Sequence, residues 1–178
     1  MSNQKKKVIA MTCMCVDIFD SMDQIRPGGE ALNFIANCCG QEHIERYIIG
    51  AIGNDIYGDR ILDSIKDKDI NREYIHRVEG ATANNVTYLT KEGDRYYKPD
   101  SWTGGVYQNF KISDEDKELM KQAYLIHTGV TCPNFKEILE FKKKNPFMLS
   151  VDFDITRDFD SWKEYLPYID FFFISGDD

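Results

Sequence analysis

The sequence lacks the signatures of the common nucleotide-binding and hydrolytic enzymes. It contains no GxxxxGK[ST] phosphate-binding loop and no GxGxxG after its first apolar run, so Walker-type nucleotide hydrolases and ordinary NAD-dependent enzymes are unsupported. It also contains no GxSxG motif, the turn that carries the nucleophile of α/β hydrolases. The residues that carry function therefore have to be sought in other patterns.

Positive charge and long apolar runs are scarce. The 178 residues include 22 Lys and Arg against 30 Asp and Glu, for a net charge of −8. Nucleic acids and anionic membranes select basic surfaces, so we expect neither as the main partner. No apolar run approaches the roughly 18 residues that span a bilayer. The start, KKKVIAMTCMCVD, lacks a small-residue cleavage site, so we predict a cytoplasmic protein.

Cysteine is present, but in no pattern typical of a disulfide framework. The number is odd and no CxxC spacing occurs, so we expect reduced thiols buried as small apolar residues; they stand at positions 13, 15, 38, 39 and 132. A metal site is the alternative, and it would combine Cys13, Cys15 and Cys38 with His43.

The chain alternates between apolar runs of strand length and segments with the spacing of a buried helical face. This predicts strands over 8–16, 47–52, 124–130, 147–154 and 171–175. Helices are predicted over 30–39, 55–67, 134–144 and 159–168, and another follows Ser113, a typical N-cap before the acidic DEDKELMKQA. Strands separated by helices are typical of βαβ units, so we predict a three-layer α/β fold with a mostly parallel sheet.

Residues 74–110 break this alternation. The stretch NNVTYLTKEGDRYYKPD has two extended segments around a KEGD turn, where Gly93 supplies the positive φ that such turns need. The segments are polar on both faces, which favours a small sheet that projects from the main body. We interpret the chain as one domain, residues 1–178, with a β insertion at about 74–110.

The predicted strand FFFIS is apolar on both faces. Such a strand needs helices on both faces and usually neighbouring strands. A bare apolar edge near a terminus favours aggregation. We therefore expect either a partner that covers it or a longer protein of which this chain is the front part, and we favour the second.

Polar residues follow four of the predicted strands, where ligands of open α/β sheets bind. They are Asp17; then Gly53, Asn54 and Asp55; then His127, Thr128 and Gly129; then Asp152, Asp154 and Arg157. Carboxylates and amides at one edge suit a polyhydroxylated ligand, and the pair Asp152 and Asp154 has the chemistry of a metal site or an acid and base. The alternative is a solvated strand end, and for Asp55 the cap of the following helix.

Two motifs resemble the first signature of the PfkB (ribokinase-like) carbohydrate kinases. PGGEALNFIANCCG matches a GGxxxN at a helix start, and IGAIGNDIYGDRIL matches the GxxGxDxxG that follows. The matching positions are Gly28, Gly29 and Asn33, then Gly50, Gly53, Asp55 and Gly58. The resemblance covers the whole chain but only the front part of the family. It implies a ribokinase-like sheet with a small β lid, without the C-terminal ATP-binding part.

The resemblance implies a sugar site. Asp17 looks like the family's sugar-binding Asp, Gly28 and Gly29 would let the backbone approach the sugar, and Asn33 would hydrogen-bond it. Segment 74–110 stands where the family carries its lid, which covers the sugar and often forms the dimer contact, so a homodimer through the lid is expected. Candidates for closing over the sugar are Asn84, Tyr88, Arg95 and Tyr97. Cross-strand pairing or dimer packing is the alternative role for each.

The resemblance also implies transfer of the ATP γ-phosphoryl group to a primary sugar hydroxyl, with Mg²⁺. Within the family the sequence is most similar to fructoselysine (fructosamine) 6-kinases, although Asp154 replaces the Asn of the family's DxNxR segment. The second signature, a DTxGAGD-like segment that supplies the catalytic base, is absent from these 178 residues. We therefore predict no catalytic and no metal-binding residue here, in a chain that binds a sugar or fructosamine without phosphorylating it.

Two other functions are compatible with these residues. One is a non-catalytic sugar-binding or dimerising module, a truncated paralogue that never transfers phosphate. The other is an unrelated α/β sugar binder that shares the glycine turn by chance. Replacing Asn33 with Ala in a full-length protein separates the family resemblance from this chance match, because it costs sugar binding if the resemblance holds and only stability if it does not.

Overall fold

The computed structural model describes residues 5–154, 156 and 158–176. The strands in this part of the chain are β1 (Lys6–Ala10), β2 (Cys15–Phe19), β3 (Gln24–Gly28), β4 (Ile44–Ile48), β5 (Gly50–Gly53), β6 (Ile75–Val78), β7 (Asn84–Leu89), β8 (Arg95–Tyr97), β9 (Leu125–Gly129), β10 (Met148–Asp152) and β11 (Phe171–Phe173). The α-helices are α1 (Glu30–Asn37), α2 (Ile56–Ser64), α3 (Asp114–Met120) and α4 (Phe135–Lys142). No helix among the described residues is long and apolar enough to cross a membrane.

The central sheet confirms the predicted parallel α/β architecture. Its strand order is β11-β10-β9-β1-β4, and every neighbouring pair is parallel. Val8 and Ala10 of β1 pack on one face with Ile35 of α1, whereas Ile9 packs on the other face with Ile138 of α4. Successive strand residues point to opposite faces, so helices on both sides bury one sheet between them and give three layers.

A second, four-stranded sheet forms the lid, with the order β3-β2-β7-β8. Strands β7 and β8 are the two extended segments predicted around the KEGD turn, and Gly93 there has a φ of 94°. The lid also takes β2 and β3 from before α1, with β2 parallel to β7 and antiparallel to β3. Strand β6 lies apart from it and pairs with β5. The lid sheet is therefore mixed and is built from two separate segments of the chain.

Helix boundaries agree well with the sequence pattern. Helices α1, α2 and α4 lie within the predicted ranges. Ser113 forms a capping box at the start of α3: its hydroxyl accepts from the Asp116 N–H at 3.0 Å, and the Asp116 carboxylate accepts from the Ser113 N–H at 2.8 Å. Because side chains only three residues apart determine where this helix begins, its start can be predicted from the sequence.

Two predicted strands are each divided in the structure. The run 8–16 contains the end of β1, a break over residues 11–14 and the start of β2 in the lid, and the run 47–52 contains the end of β4 and most of β5. Both parts of each run are buried, so the apolar pattern has no gap at the break. Asp17 is consequently wrong as a strand-end residue: it lies inside β2, opposite Arg26 of β3.

The end of the chain departs from prediction in two places. The helix predicted over 159–168 is wrong, because the structure has two 3₁₀ turns, Asp160–Trp162 and Leu166–Tyr168, with Pro167 inside the second. Proline has no N–H for the i→i−4 bond of an α-helix. The strand predicted at FFFIS is confirmed over Phe171–Phe173, where it pairs with β10 and leaves each phenylalanine 44–51% exposed.

Candidate functional site

A cavity of about 540 Å³ lies between the central sheet and the lid. Five of the eight residues that the resemblance assigns to the sugar line it: Asp17, Gly29, Asn33, Arg95 and Tyr97. They come from β2, the start of α1 and β8. The fold thus gathers residues from the lid and from the start of α1 around one space of the size that small-molecule ligands occupy.

Gly29 sets the geometry of the cavity floor. It is the N-cap of α1 with a φ of 94°, and a Cβ there would lie 2.4 Å from the carbonyl oxygen of Cys13. An L side chain is therefore excluded both by the backbone conformation and by the close approach of a second chain segment. One turn into the helix, the Asn33 N–H donates to the Gly29 carbonyl at 3.0 Å, so Asn33 is held at the cavity surface.

Asp17 connects the cavity to the lid. Its carboxylate accepts a hydrogen bond from the Thr87 hydroxyl at 3.3 Å and lies 3.4 Å from Nη1 of Arg95. The Arg95 guanidinium also lies 5.7 Å from the ring centroid of Tyr97. Asp17 is buried while Arg95 is half exposed, so the acceptor of this pair lies on the inner side and the donor on the solvent side.

Three of the residues assigned by the resemblance lie outside the cavity lining. A Cβ on Gly28 would make an ordinary 3.4 Å contact with Asp17. The Asn84 amide donates to the carbonyl of Thr82 at 3.0 Å. Tyr88 stacks on Tyr96 with ring centroids 5.4 Å apart. The contacts of Asn84 and Tyr88 are of the kind that hold strands and loops of the lid together.

The strand-end residues separate into different environments. Asp152 and Asp154 line the cavity, and the Asp154 N–H donates to the Asp152 carboxylate at 2.8 Å. His127 lines a second, smaller cavity of about 260 Å³ beside the first, and burial lowers its pKa to about 4. Arg157 lies outside the described residues. Only part of the predicted polar edge therefore faces the main cavity.

Asp55 has the capping role that was the alternative for it. Its carboxylate accepts from the Gly58 N–H at 2.8 Å at the start of α2, and from the hydroxyl and N–H of Thr82 at 2.6 and 2.8 Å. Partial burial would raise the pKa of Asp55, but these hydrogen bonds outweigh it and the pKa is lowered. Asp55 ties α2 to the loop before β7 and is not among the residues that line the cavity.

The cavity also contains residues that the sequence pattern did not single out for the ligand. Glu30, Trp102 and Tyr107 line it. Glu30 directly follows the glycine pair, which is the signal that could have drawn attention to it. Trp102 comes from the loop after β8 and Tyr107 from the 3₁₀ helix Gly105–Asn109 that follows it. Neither carries a local signal, because only the fold brings this segment to the cavity.

The thiols are placed as apolar lining rather than as a metal centre. Cys13 and Cys15 line the cavity, and Cys132 is buried nearby. The pKa of Cys13 is raised by its contact with Cys15 and by burial, which keeps the thiol protonated. Within the part of the chain that the structure describes, no group of three His, Cys, Asp or Glu residues is arranged to hold a metal ion.

The comparison with known proteins decides the family. The profile described as "pfkB family carbohydrate kinase" matches residues 21–178. The chain belongs to the pfkB family. Among curated pfkB relatives it is 27% identical over 174 residues to the fructosamine kinase FrlD of Bacillus subtilis, covering 97% of this chain. It is also 27% identical over 165 residues to the fructoselysine 6-kinase of Escherichia coli, covering 91% of this chain.

The solved structures agree on the fold. A ribokinase of Arabidopsis thaliana, in complex with ribose and ATP, superposes with a TM-score of 0.72 at 18% identity, over 96% of this chain and 60% of that one. The fold is thus ribokinase-like, with a parallel central sheet and a small mixed lid. The chain spans about 60% of the length of the two curated pfkB relatives.

Proposed function

We propose that this chain is the sugar-binding part, residues 1–178 with the lid, of an ATP-dependent kinase that phosphorylates a primary hydroxyl of a fructosamine. The pfkB match supports sugar kinase chemistry, and the two curated relatives named for fructosamine and fructoselysine support the substrate class. The observation that carries the proposal is that Gly29 and Asn33 of the GGxxxN motif share one cavity with Asp17, Arg95 and Tyr97.

Each of these residues has a chemical role in the proposed complex. Gly29 brings backbone to the floor without a side chain, so a sugar ring can lie close to the start of α1. Asp17 accepts hydrogen bonds from sugar hydroxyls, and the Asn33 amide both donates and accepts. Arg95 and Tyr97 lie on an edge strand of the lid, half exposed, where they can close over the ligand and exclude water.

The cofactors of the family reaction are ATP and Mg²⁺, and the described residues do not fit a site for the metal. No group of three potential ligands among them is arranged to hold a metal ion. No phosphoryl-transfer step is therefore assigned to residues of this chain. Their proposed work is to bind and orient the sugar.

Calorimetric titration of the chain with fructoselysine, fructose and ribose tests the sugar site. We expect saturable binding that is weakened about tenfold or more by Asn33→Ala, since an amide that makes two hydrogen bonds to a ligand contributes roughly 1–3 kcal/mol. Asn145→Ala is the matched control: its amide donates to the Phe141 carbonyl at 2.8 Å near the end of α4, and it is not among the residues that line the main cavity, so binding there should be unchanged. Loss of stability without loss of affinity in Asn33→Ala would contradict the proposal.

A non-catalytic sugar-binding or dimerising module is the second candidate. It is favoured by the exposed edge of the lid, where Tyr96 and Tyr97 are 51% exposed. We expect a homodimer through β8, detectable by analytical ultracentrifugation and lost in Tyr96→Lys. With ATP, Mg²⁺ and fructoselysine, we expect this chain to release no ADP above background. Clear turnover would show that a residue of these 178 acts as the base.

A further inference from the structure

Glu30 is an acidic residue that faces a cavity, although formation of α1 does not require its side chain to point there. It is the first residue of α1, where a carboxylate is favourable through the helix dipole even when it points to solvent. Here it lines both the main cavity and the smaller one beside it. Burial raises the pKa of Glu30, and the nearby Asp152 and Asp154 raise it further, although a hydrogen bond from Thr12 opposes them. Glu30 is therefore a half-buried acid close to two other carboxyl groups.

Two neighbours hold the Glu30 carboxyl in place. The hydroxyl of Thr12, which is fully buried, donates to Oε2 of Glu30 at 2.5 Å. The other neighbour is Gly129 at the end of β9, where a Cβ would lie 2.6 Å from Oε2 and 2.9 Å from Oε1. The missing side chain at Gly129 leaves the space that the carboxyl occupies. The carboxyl is therefore seated between a fixed donor and a bare backbone surface.

Among the described residues that line the main cavity, acidic side chains outnumber basic ones. The described lining of the main cavity has four carboxyl groups and the single guanidinium of Arg95. Arg95 is paired with Asp17. Among the described residues, neither Glu30 nor Asp152 has a Lys, Arg or His within ion-pair distance. Carboxylates that lie close together favour the uptake of a proton or another cation.

A separate observation points to a ligand in the same space. Tyr107 lines the cavity, is 6% exposed, and has a buried hydroxyl with no hydrogen-bond partner among the described residues. Unpaired buried polar groups are rare in native structures unless a ligand or water meets them. Tyr97 and Trp102, both half exposed, also line the cavity, and aromatic rings attract cations, as Arg95 beside the Tyr97 ring illustrates.

We propose that Glu30 is the residue that determines specificity in this cavity, by selecting ligands with a protonated amine beside the sugar over neutral sugars. This inference rests on the proposed sugar-binding function and assigns the recognition of the amine to one residue. The carboxylate supplies the opposite charge and a hydrogen-bond acceptor, and the slot at Gly129 holds that acceptor in a fixed position.

The test compares two probes that differ only in the group on carbon 1. 1-Amino-1-deoxyfructose carries an ammonium group there, and fructose carries a hydroxyl. Dissociation constants are measured by calorimetry at pH 7 for the 178-residue chain and for Glu30→Gln, which keeps the size of the side chain. We expect the parent chain to prefer the amine at least about tenfold, and Glu30→Gln to lose that preference while fructose affinity changes less than about threefold.

Matched variants separate the local effect from a change of net charge. Glu92→Gln, in the exposed turn of the lid, removes the same charge and keeps the preference. Glu30→Asp keeps the charge and retains part of the preference. If Glu30→Gln fails to fold by circular dichroism, Gly129→Ala, which displaces the carboxyl from its slot, is expected to reduce the preference instead.

Several results of these titrations would contradict the role of Glu30. Equal affinity of the parent chain for the two probes, or a preference that survives in Glu30→Gln, would overturn the role of Glu30 and leave the sugar site intact. Failure of the parent chain to bind either probe would overturn the sugar site and the role of Glu30 together. Loss of the preference in Glu92→Gln as well would show that the preference for the amine depends only on the net charge of the chain.

Discussion

Nη1 of Arg95 lies 3.4 Å from Oδ2 of Asp17, so one ion pair joins the edge strand β8 of the lid to β2, two strands away. The two residues face the same cavity, and they differ in exposure, with 51% of the Arg95 side chain accessible against 11% of Asp17. A half-exposed pair of this kind contributes less than about 1 kcal/mol to folding. Removing the Arg95 charge is therefore expected to cost little folding stability.

Arg95→Met is expected to weaken sugar binding without unfolding the chain. The variant keeps the apolar stem and removes the charged donor, and a hydrogen bond from a charged group contributes roughly 1.5–3 kcal/mol, or about tenfold or more in affinity. Calorimetry measures the dissociation constant, and urea titration checks that the unfolding free energy changes by less than about 1 kcal/mol. Unchanged affinity would show that Arg95 does not contact the sugar and serves only in cross-strand pairing.

Asp55→Ala is expected to destabilise the chain by about 2 kcal/mol, because it removes the N-cap of α2 and the hydrogen bonds from Thr82. Urea denaturation measures the change, with the exposed Asp67→Ala as a control that stays within about 0.5 kcal/mol of the parent chain. Since the pKa of Asp55 is lowered in the fold, its stabilisation is present above the usual 3.8 and is lost as the pH falls below that value. The difference in unfolding free energy between the parent chain and Asp55→Ala should therefore decrease as the pH falls below 3.8.

His127 is expected to make the chain less stable in mild acid. Burial lowers its pKa from 6.5 to about 4, so between these values the unfolded chain binds a proton that the folded chain does not. The stabilisation is complete above pH 6.5 and falls by roughly 1.4 kcal/mol per pH unit below it, until pH 4. His127→Asn keeps a polar atom near Ser150, the partner of His127 Nδ1. Its unfolding free energy, followed from pH 7 to 4.5, should fall less steeply.

Gly129→Ala is expected to cost about 1 kcal/mol, because the new Cβ would meet the Glu30 carboxyl at 2.6 Å. The contact is with the end of a flexible side chain, so the carboxyl moves rather than the backbone. The same substitution in a Glu30→Ala background should cost almost nothing. Unfolding free energies of the four chains form a double-mutant cycle. A cost at Gly129 that is independent of Glu30 would contradict this arrangement.

The regular part of the fold could be predicted because its signals are local. Strands β9 and β10 and helix α4 follow directly from apolar spacing, and Ser113 carries its own capping chemistry. The run 8–16 could not be divided from sequence, since β1 and β2 are both buried and the chain changes sheets without losing its apolar pattern. Asp17 was therefore expected at a strand end, yet it reaches the cavity from within a lid strand.

The sequence by itself determined the family and the start of the site, because GGxxxN and GxxGxDxxG are contiguous patterns whose backbone requirements act within a few residues. Only the tertiary structure decided which residues face the cavity. Tyr88 carries a motif-based expectation but packs on Tyr96, whereas Glu30 owes its position to a glycine at the end of a distant strand. The position of such a side chain depends on the space left by residues that are far away in the sequence. That space forms only when the helices and sheets have packed together.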